Sequence, residues 1–258
     1  KRISLGLPQK PKPDIWVWKK QTSINSQKDK LRMLDLEVID ENSDYLVVNK
    51  AAGLISEKSP YEECTVEVQV LNHLFKSKRK PFLGVIHRLD RVTSGVMIFA
   101  KKKSVLVKFN DLFGSGKVQK TYLAIVKNKP PKNKERLVNF LVKNNLEKRA
   151  DIVESLSKEA KECVLTYKLV GTNELGYLLE VKPTTGRFHQ IRAQLAHIGL
   201  PIIGDEKYGS DQDYFPLSIC LHAWKLTYQV SGSDGFKTYQ APLPKNEFWK
   251  FKGRENKS

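Results

Sequence analysis

GVIHRLDRVTSGVMIFAKK, residues 84–102, is the stretch on which the reading of this chain turns. A carboxylate, Asp90, sits among His87, Arg88 and Arg91, and Thr93, Ser94 and Gly95 follow it as a turn. GVMIFAK (95–101) then reads as a short apolar run of the buried-strand type. Cationic neighbours favour the ionised form of a partly desolvated carboxylate, which a carboxylate base or nucleophile requires. The bland alternative is a solvated ion pair on a surface loop, and these residues by themselves leave both readings open.

Outward from this stretch the chain alternates strand and helix signals without strict order. LDLEVID (34–40) and YLVVNK (45–50) read as strands parted by the turn residues Asn42, Ser43 and Asp44. Thr65 is a candidate N-cap for a helix with Val66, Val70, Leu71 and Leu74 on its apolar side. Ser104 is a candidate cap for a second, with Val105, Leu106, Phe109, Leu112 and Phe113 at helical spacing before Gly114. KTYLAIV (120–126), VLTYKLV (164–170), YLLEVKP (177–183) and ICLHAWKLTYQV (219–230) read as further strands, and 127–136 as a proline-broken basic loop.

FHQIRAQLAHI (188–198) predicts a helix closed by Gly199. Phe188, Ile191, Leu195 and Ile198 form one apolar stripe on it, and at about 100° per residue Arg192, His189 and Ala196 lie well around from that stripe. Arg192 is thus placed to leave the core and meet a carboxylate, and replacing it should harm activity more than stability. Strands outnumber helices, so the expected class is α+β, with a mixed, mainly antiparallel sheet flanked by helices around a cleft.

The chain has 258 residues, 40% of them apolar, enough for one large domain. Lys and Arg number 45 against 28 acids, a net charge of +17, which favours a polyanionic partner. A lysine-rich surface that merely solubilises is the competing explanation. No apolar run approaches bilayer length, so no membrane role is expected. Cys64, Cys163 and Cys220 are widely spaced, as suits reduced thiols rather than a zinc site or a disulfide framework. Charges and prolines occupy the N-terminal region, pointing to the cytoplasm. The lack of an initiator Met leaves an organellar matrix as the alternative, reached through a removed targeting segment.

Several motifs fail on inspection. FGSGK (113–117) resembles a phosphate-binding loop, but Asp111 stands where its first glycine belongs and Val118 where the magnesium-binding hydroxyl belongs. HRLD (87–90) lacks the asparagine that a kinase catalytic loop carries, and His189 and His197 are eight apart, which is no metal-ligand spacing on a helix.

HRLDRVTSG is similar, at every fixed position, to the catalytic motif of RluA-type pseudouridine synthases. YLVVNKAAGL (45–54), KTYLAIV, PTTGRFHQIRAQLAHIGLPIIGDEKYG (183–209), LHAWKLTY (221–228) and APLP (241–244) resemble the family's other blocks in the same order. The resemblance implies the pseudouridine synthase fold over residues 34–258, with residues 1–33 as a basic arm. It implies an RNA isomerase with ribosomal or transfer RNA as partner, no metal, no organic cofactor and no obligate protein partner, acting as a monomer. Asp90 then corresponds to the catalytic aspartate, Tyr122 to the tyrosine packed on the uracil, and Arg192 to the arginine paired with the carboxylate. Arg88 is expected to fill the RNA stack, with His87, Arg91, Lys120, Arg187 and His189 as further RNA contacts. His87 on its own residues reads better as a local hydrogen-bonding group. Lys76, Lys78, Arg79, Lys80, Lys101 to Lys103 and the 127–136 loop are added candidates for phosphate contacts. Ala51 and Phe188 depart from the family pattern. A non-catalytic RNA-binding or ribosome-assembly factor on the same scaffold is the rival reading.

Residues 1–32 hold nine basic and two acidic side chains, a net +7. If this arm contacts RNA, deleting it should weaken binding and flatten the slope of log K against log salt by about 0.7–0.9 per lost phosphate contact. A salt titration of full-length and truncated protein measures this, and an unchanged slope would show that the arm's charge serves another purpose.

Overall fold

In the computed structural model the described residues are 35–251, apart from residues 78, 156 and 231–234, so the basic arm and Lys78 lie outside them. Eleven strands form one mixed sheet. They are β1 (Glu37–Glu41), β2 (Tyr45–Lys50), β3 (Gly84–Val85), β4 (Ser94–Ala100), β5 (Val118–Val126) and β6 (Lys134–Asn144). After these come β7 (Arg149–Val153), β8 (Lys161–Asn173), β9 (Gly176–Pro183), β10 (Leu221–Gln229) and β11 (Phe236–Gln240). The order across the sheet is β1-β2-β4-β10-β5-β9-β8-β6-β7, with β3 on β4 and β11 on β10. Every pairing is antiparallel except that of β4 with β10. Among the described residues three α-helices pack on it: α1 (Val66–Phe75), α2 (Lys103–Gly114) and α3 (Gln190–His197).

The local signals translate into structure for stated reasons. Asn42 accepts from the backbone N–H of Asp44 and Tyr45 at 2.8 and 3.0 Å, making the turn between β1 and β2. Thr65 caps α1 by accepting from Val68 N–H at 3.2 Å, and Val66, Val70 and Leu74 bury one face. β4 is buried at six of its seven positions, as its continuous apolar run requires. Gly199 has φ of +76° just past α3, the left-handed terminus that glycine favours.

Other expectations need correction. α2 begins at Lys103 with Lys102 at the cap position and no side-chain bond, so Ser104 does not cap it. Residues 134–136 are the start of β6, paired with β8, and the basic loop is shorter than its composition suggested. α3 starts at Gln190. His189 before it adopts φ of +52°, a left-handed backbone costing about 1–2 kcal/mol for a residue with a Cβ, and Phe188 consequently leaves the apolar stripe.

Two large apolar cores result, beside a small cluster of Leu141, Ala150, Cys163 and Ala193. One gathers β5, β8 and β9 with Ile191 and Leu195 of α3; the other gathers β2 and β4 with α1 and α2. Tyr122, on β5, packs against both, so the seam between the cores runs beside it. β10 stitches the seam, pairing with β5 on one side and with Ser94 and Gly95 of β4 on the other.

Gly95 makes that stitch possible. Its φ is +119°, and a Cβ there would lie 2.3 Å from the Ala223 carbonyl oxygen. Gly95→Ala should therefore cost about 2–4 kcal/mol, combining backbone strain with a backbone clash. Urea denaturation checks this, and an unchanged midpoint would contradict it.

Candidate active site

Asp90 sits in the turn between β3 and β4, and the end of β2 bolts that turn in place. Lys50, at the end of β2, is 1% exposed and its ammonium donates to the carbonyls of Ala51, Arg91 and Thr93 at 2.9, 3.1 and 2.7 Å. Ser56 Oγ donates to Leu89 O at 2.8 Å and accepts from Leu89 N–H at 3.0 Å. Gly53 N–H donates to Arg91 O, Ile219 N–H to Val92 O, and Thr93 N–H closes the turn on Asp90 O. Every residue from 89 to 93 thus has a backbone group held, and Asp90 projects from a rigid mount.

Opposite stands Arg192 on α3. Its guanidinium is bidentate to Asp205, Nε to Oδ2 at 2.7 Å and Nη2 to Oδ1 at 2.8 Å, and both side chains are buried. Asp90 Oδ2 lies 3.5 Å from Nη1. Arg192 and Asp90 are therefore neighbours, as the resemblance implied, but Asp205 is the arginine's main partner. The expectation that Arg192 leaves the core is corrected: it stays buried because Asp205 neutralises it there. Arg192 Nη1 also donates to His189 Nε2 at 2.8 Å, which puts the imidazole proton on Nδ1, donating to Tyr208 Oη at 3.0 Å. Tyr208 Oη accepts from Ala150 N–H at 2.8 Å and donates to Ala150 O at 3.3 Å, ending this chain on β7.

Charge and burial oppose one another throughout. Burial is the largest influence on Asp90 and raises its pKa above the ordinary 3.8, with Asp205 adding to it, while Arg192 and Lys50 pull the other way. The cations thus oppose the desolvation and favour the ionised form, while burial remains the larger influence. Burial lowers Lys50 to about 7, with Asp90 opposing. Burial opposes the charge on Arg192, but the hydrogen bonds and field of Asp205 hold it above its usual value. Burial and nearby cations lower both His87 and His189 to about 3, so both are neutral. Burial and the charge of Asp90 raise the Tyr122 phenol, which keeps its proton.

Asp90, Tyr122, Arg192, His87 and His189 line one cleft of about 1360 Å³. Tyr122, Asp90 and Arg192 meet in it, and Arg88, Arg91, Lys120 and Arg187 lie along its walls. Lys58, Lys143 and Lys182 add further cations against the acids Glu57 and Asp90. Arg88 is 71% exposed and meets Glu57 at 2.9 Å, and Arg91 meets Glu62 at 2.7 Å. Lys120 reaches the Thr185 carbonyl at 3.5 Å, and Arg187 Nε donates to Glu162 O at 3.1 Å. His87 accepts from Ile98 N–H at 3.2 Å and stacks on Phe113, the local role its own residues suggested.

The lysine clusters outside the motifs lie elsewhere. Lys76, Arg79, Lys80 and Lys101 to Lys103 are not among the cleft's lining residues; Lys101 pairs with Glu41 and Lys102 with Asp44. The 127–136 segment is likewise away from the cleft, with Lys127 on Asp211 and Lys132 on Glu135. Lys50, Asp205 and Tyr208 are functional-site residues that the sequence reading passed over. The first lies in YLVVNKAAGL and the other two in GDEKYG, so the quoted blocks did carry them. Among the described residues no helix is long and apolar enough to cross a membrane, and no cluster of three His, Cys, Asp or Glu is arranged for a metal.

Because Arg192 and Asp205 compensate each other, Arg192→Leu and Asp205→Ala should each lose about 3–5 kcal/mol of stability by leaving one buried charge alone. The double variant Arg192→Leu/Asp205→Ala should be less destabilised than the two single losses added together, and strict additivity in urea denaturation would refute the pairing.

Residues 44–197 match the sequence profile of the family described as RNA pseudouridylate synthase. A tRNA pseudouridine synthase C of Vibrio parahaemolyticus is 34% identical over 213 residues, covering 76% of this chain and 85% of that protein. A ribosomal large subunit pseudouridine synthase D of Borreliella burgdorferi is 32% identical over 231 residues, covering 86% of this chain and 70% of that one. Of solved structures, human RNA pseudouridylate synthase domain containing 4 superposes with a TM-score of 0.68 at 22% identity, over 84% of this chain and 91% of that one. That likeness bears on the fold, which is the α+β pseudouridine synthase fold the resemblance implied. The non-catalytic rival finds no support among relatives named as synthases. By profile, by relatives and by fold, this chain belongs to the RNA pseudouridylate synthases, in the RluA-type branch, and is an RNA isomerase.

Proposed function

We propose that Asp90 is the catalytic carboxylate with which this enzyme isomerises a uridine of structured ribosomal or transfer RNA to pseudouridine. The observation that carries the reading is the position of Asp90: on a bolted turn, open to a cation-lined cleft, 3.5 Å from a guanidinium that another aspartate already holds. Isomerisation breaks the bond from N1 of uracil to the ribose C1′ and makes one from C5 to C1′. C5 loses a proton and N1 gains one, so composition is unchanged and no oxidant or reductant is consumed.

A uridine in folded RNA must leave its stack to reach the cleft. Asp90 then acts at the ribose side of the nucleotide while Tyr122 packs on the uracil. The raised phenol pKa supports a packing and hydrogen-bonding role in the protonated form. Arg192, fixed by Asp205, orients the Asp90 carboxylate. Arg88 suits the gap left in the stack, because its exposed pair with Glu57 is worth only about 0–1 kcal/mol and gives way easily. Arg91, Lys120 and Arg187 serve the phosphates. His87 and His189 are committed to internal hydrogen bonds, which supports a scaffolding role for them. The relatives are bacterial enzymes named for tRNA and the ribosomal large subunit, which supports a cytoplasmic site of action.

Asp90→Asn should abolish pseudouridine formation while folding and RNA affinity survive; activity within tenfold of the parent would remove Asp90 from the mechanism. Only the ionised carboxylate acts, and burial raises its pKa, so the acid limb of kcat/KM should have its midpoint above 3.8. Mapping pseudouridines in cellular RNA with and without the protein identifies the target.

A further inference from the structure

Phe188 is a large apolar side chain that the fold keeps out of the core. The left-handed backbone of His189 turns it off the helix stripe, leaving it 42% exposed on the wall of the cleft that holds Asp90. One face of its ring lies on the His189 imidazole, with centroids 3.8 Å apart and planes 19° from parallel. That imidazole cannot drift, since Arg192 and Tyr208 hold both its nitrogens at 2.8 and 3.0 Å. Lys143 Nζ lies over the ring, 5.5 Å from its centroid, where a stacking base would displace it toward a phosphate, and Arg187, also exposed, is the preceding residue.

We propose that Phe188 is a stacking platform for a nucleobase of the substrate RNA next to the uridine drawn toward Asp90. This deepens the synthase reading and rests on it. Every base has an apolar π face that stacks on an aromatic ring, while phosphates on either side of that base need cations. A rigidly backed ring beside Lys143 and Arg187 offers both. Tyr122 already occupies the place beside the reacting base, so Phe188, on a different element of the same cleft, is available for its neighbour. Sulphate-like anions would gain nothing from the ring, and an apolar protein segment would be repelled by the need to bury the two cations. A single-stranded nucleotide satisfies all of the groups.

The test uses the full-length protein and two probes of equal charge: a decaadenylate, which offers bases but no uridine, and a base-free ribose-phosphate decamer. The wild type should bind the adenylate more tightly than the base-free strand. Phe188→Ala should weaken adenylate binding by about five- to 150-fold and leave the base-free strand unchanged, whereas Phe188→Tyr should retain the wild-type preference. A wild type that does not distinguish the probes, or a Phe188→Ala variant that weakens both equally or neither, would overturn the platform. Pseudouridine formation in total RNA by the wild type is scored separately. Its absence would sink the synthase reading whatever the probes show, while its presence without a base-dependent loss in Phe188→Ala would sink the platform alone.

Discussion

One ammonium group holds the turn that carries Asp90 against the end of β2. Lys50 Nζ is buried, and burying a lone cation costs several kcal/mol unless polar groups replace its water. Three carbonyls do so, and two of them, from Arg91 and Thr93, belong to the turn that carries Asp90. The turn is thereby shaped around a charge that belongs to a different strand. Gly95, two residues on, lets β10 close against the same turn, so the support comes from β2 on one side and β10 on the other.

Division of labour between two aspartates follows from the same electrostatics. Had Arg192 taken Asp90 as its bidentate partner, the Asp90 carboxylate would have spent its lone pairs on the guanidinium. Asp205 takes that position and leaves Asp90 with the field of the arginine and one longer contact at 3.5 Å. Burial then raises the proton affinity of Asp90 while the cations restrain the rise. His189 and Tyr208 complete the arrangement by accepting the remaining reach of Arg192 and passing it to the backbone of β7.

Much of this was legible in the sequence, and the failures have physical causes. β2 and β4 were readable because their apolar runs are buried on both faces, and α1 because Thr65 announces its start. The catalytic cluster was readable only through resemblance, since an aspartate between arginines has no unique meaning. β6 and β7 were missed because they lie at the sheet's end, where charged residues such as Lys143 and Arg149 dilute the alternation. Phe188 was misplaced because periodicity assumes an unbroken helix, and one left-handed residue at 189 resets the phase. Lys50 and Asp205 escaped because a buried charge looks in sequence like any surface charge; what identifies it is a partner far along the chain.

The parallel pairing of β4 with β10 also sets an order in time. Residues 92–95 obtain their last backbone ties from residues 219–223, which leave the ribosome long after the turn itself. Domains assemble as contacts become available during synthesis, and contacts distant in sequence come last. A nascent chain therefore carries the Asp90 turn without its final support until its penultimate strand has emerged.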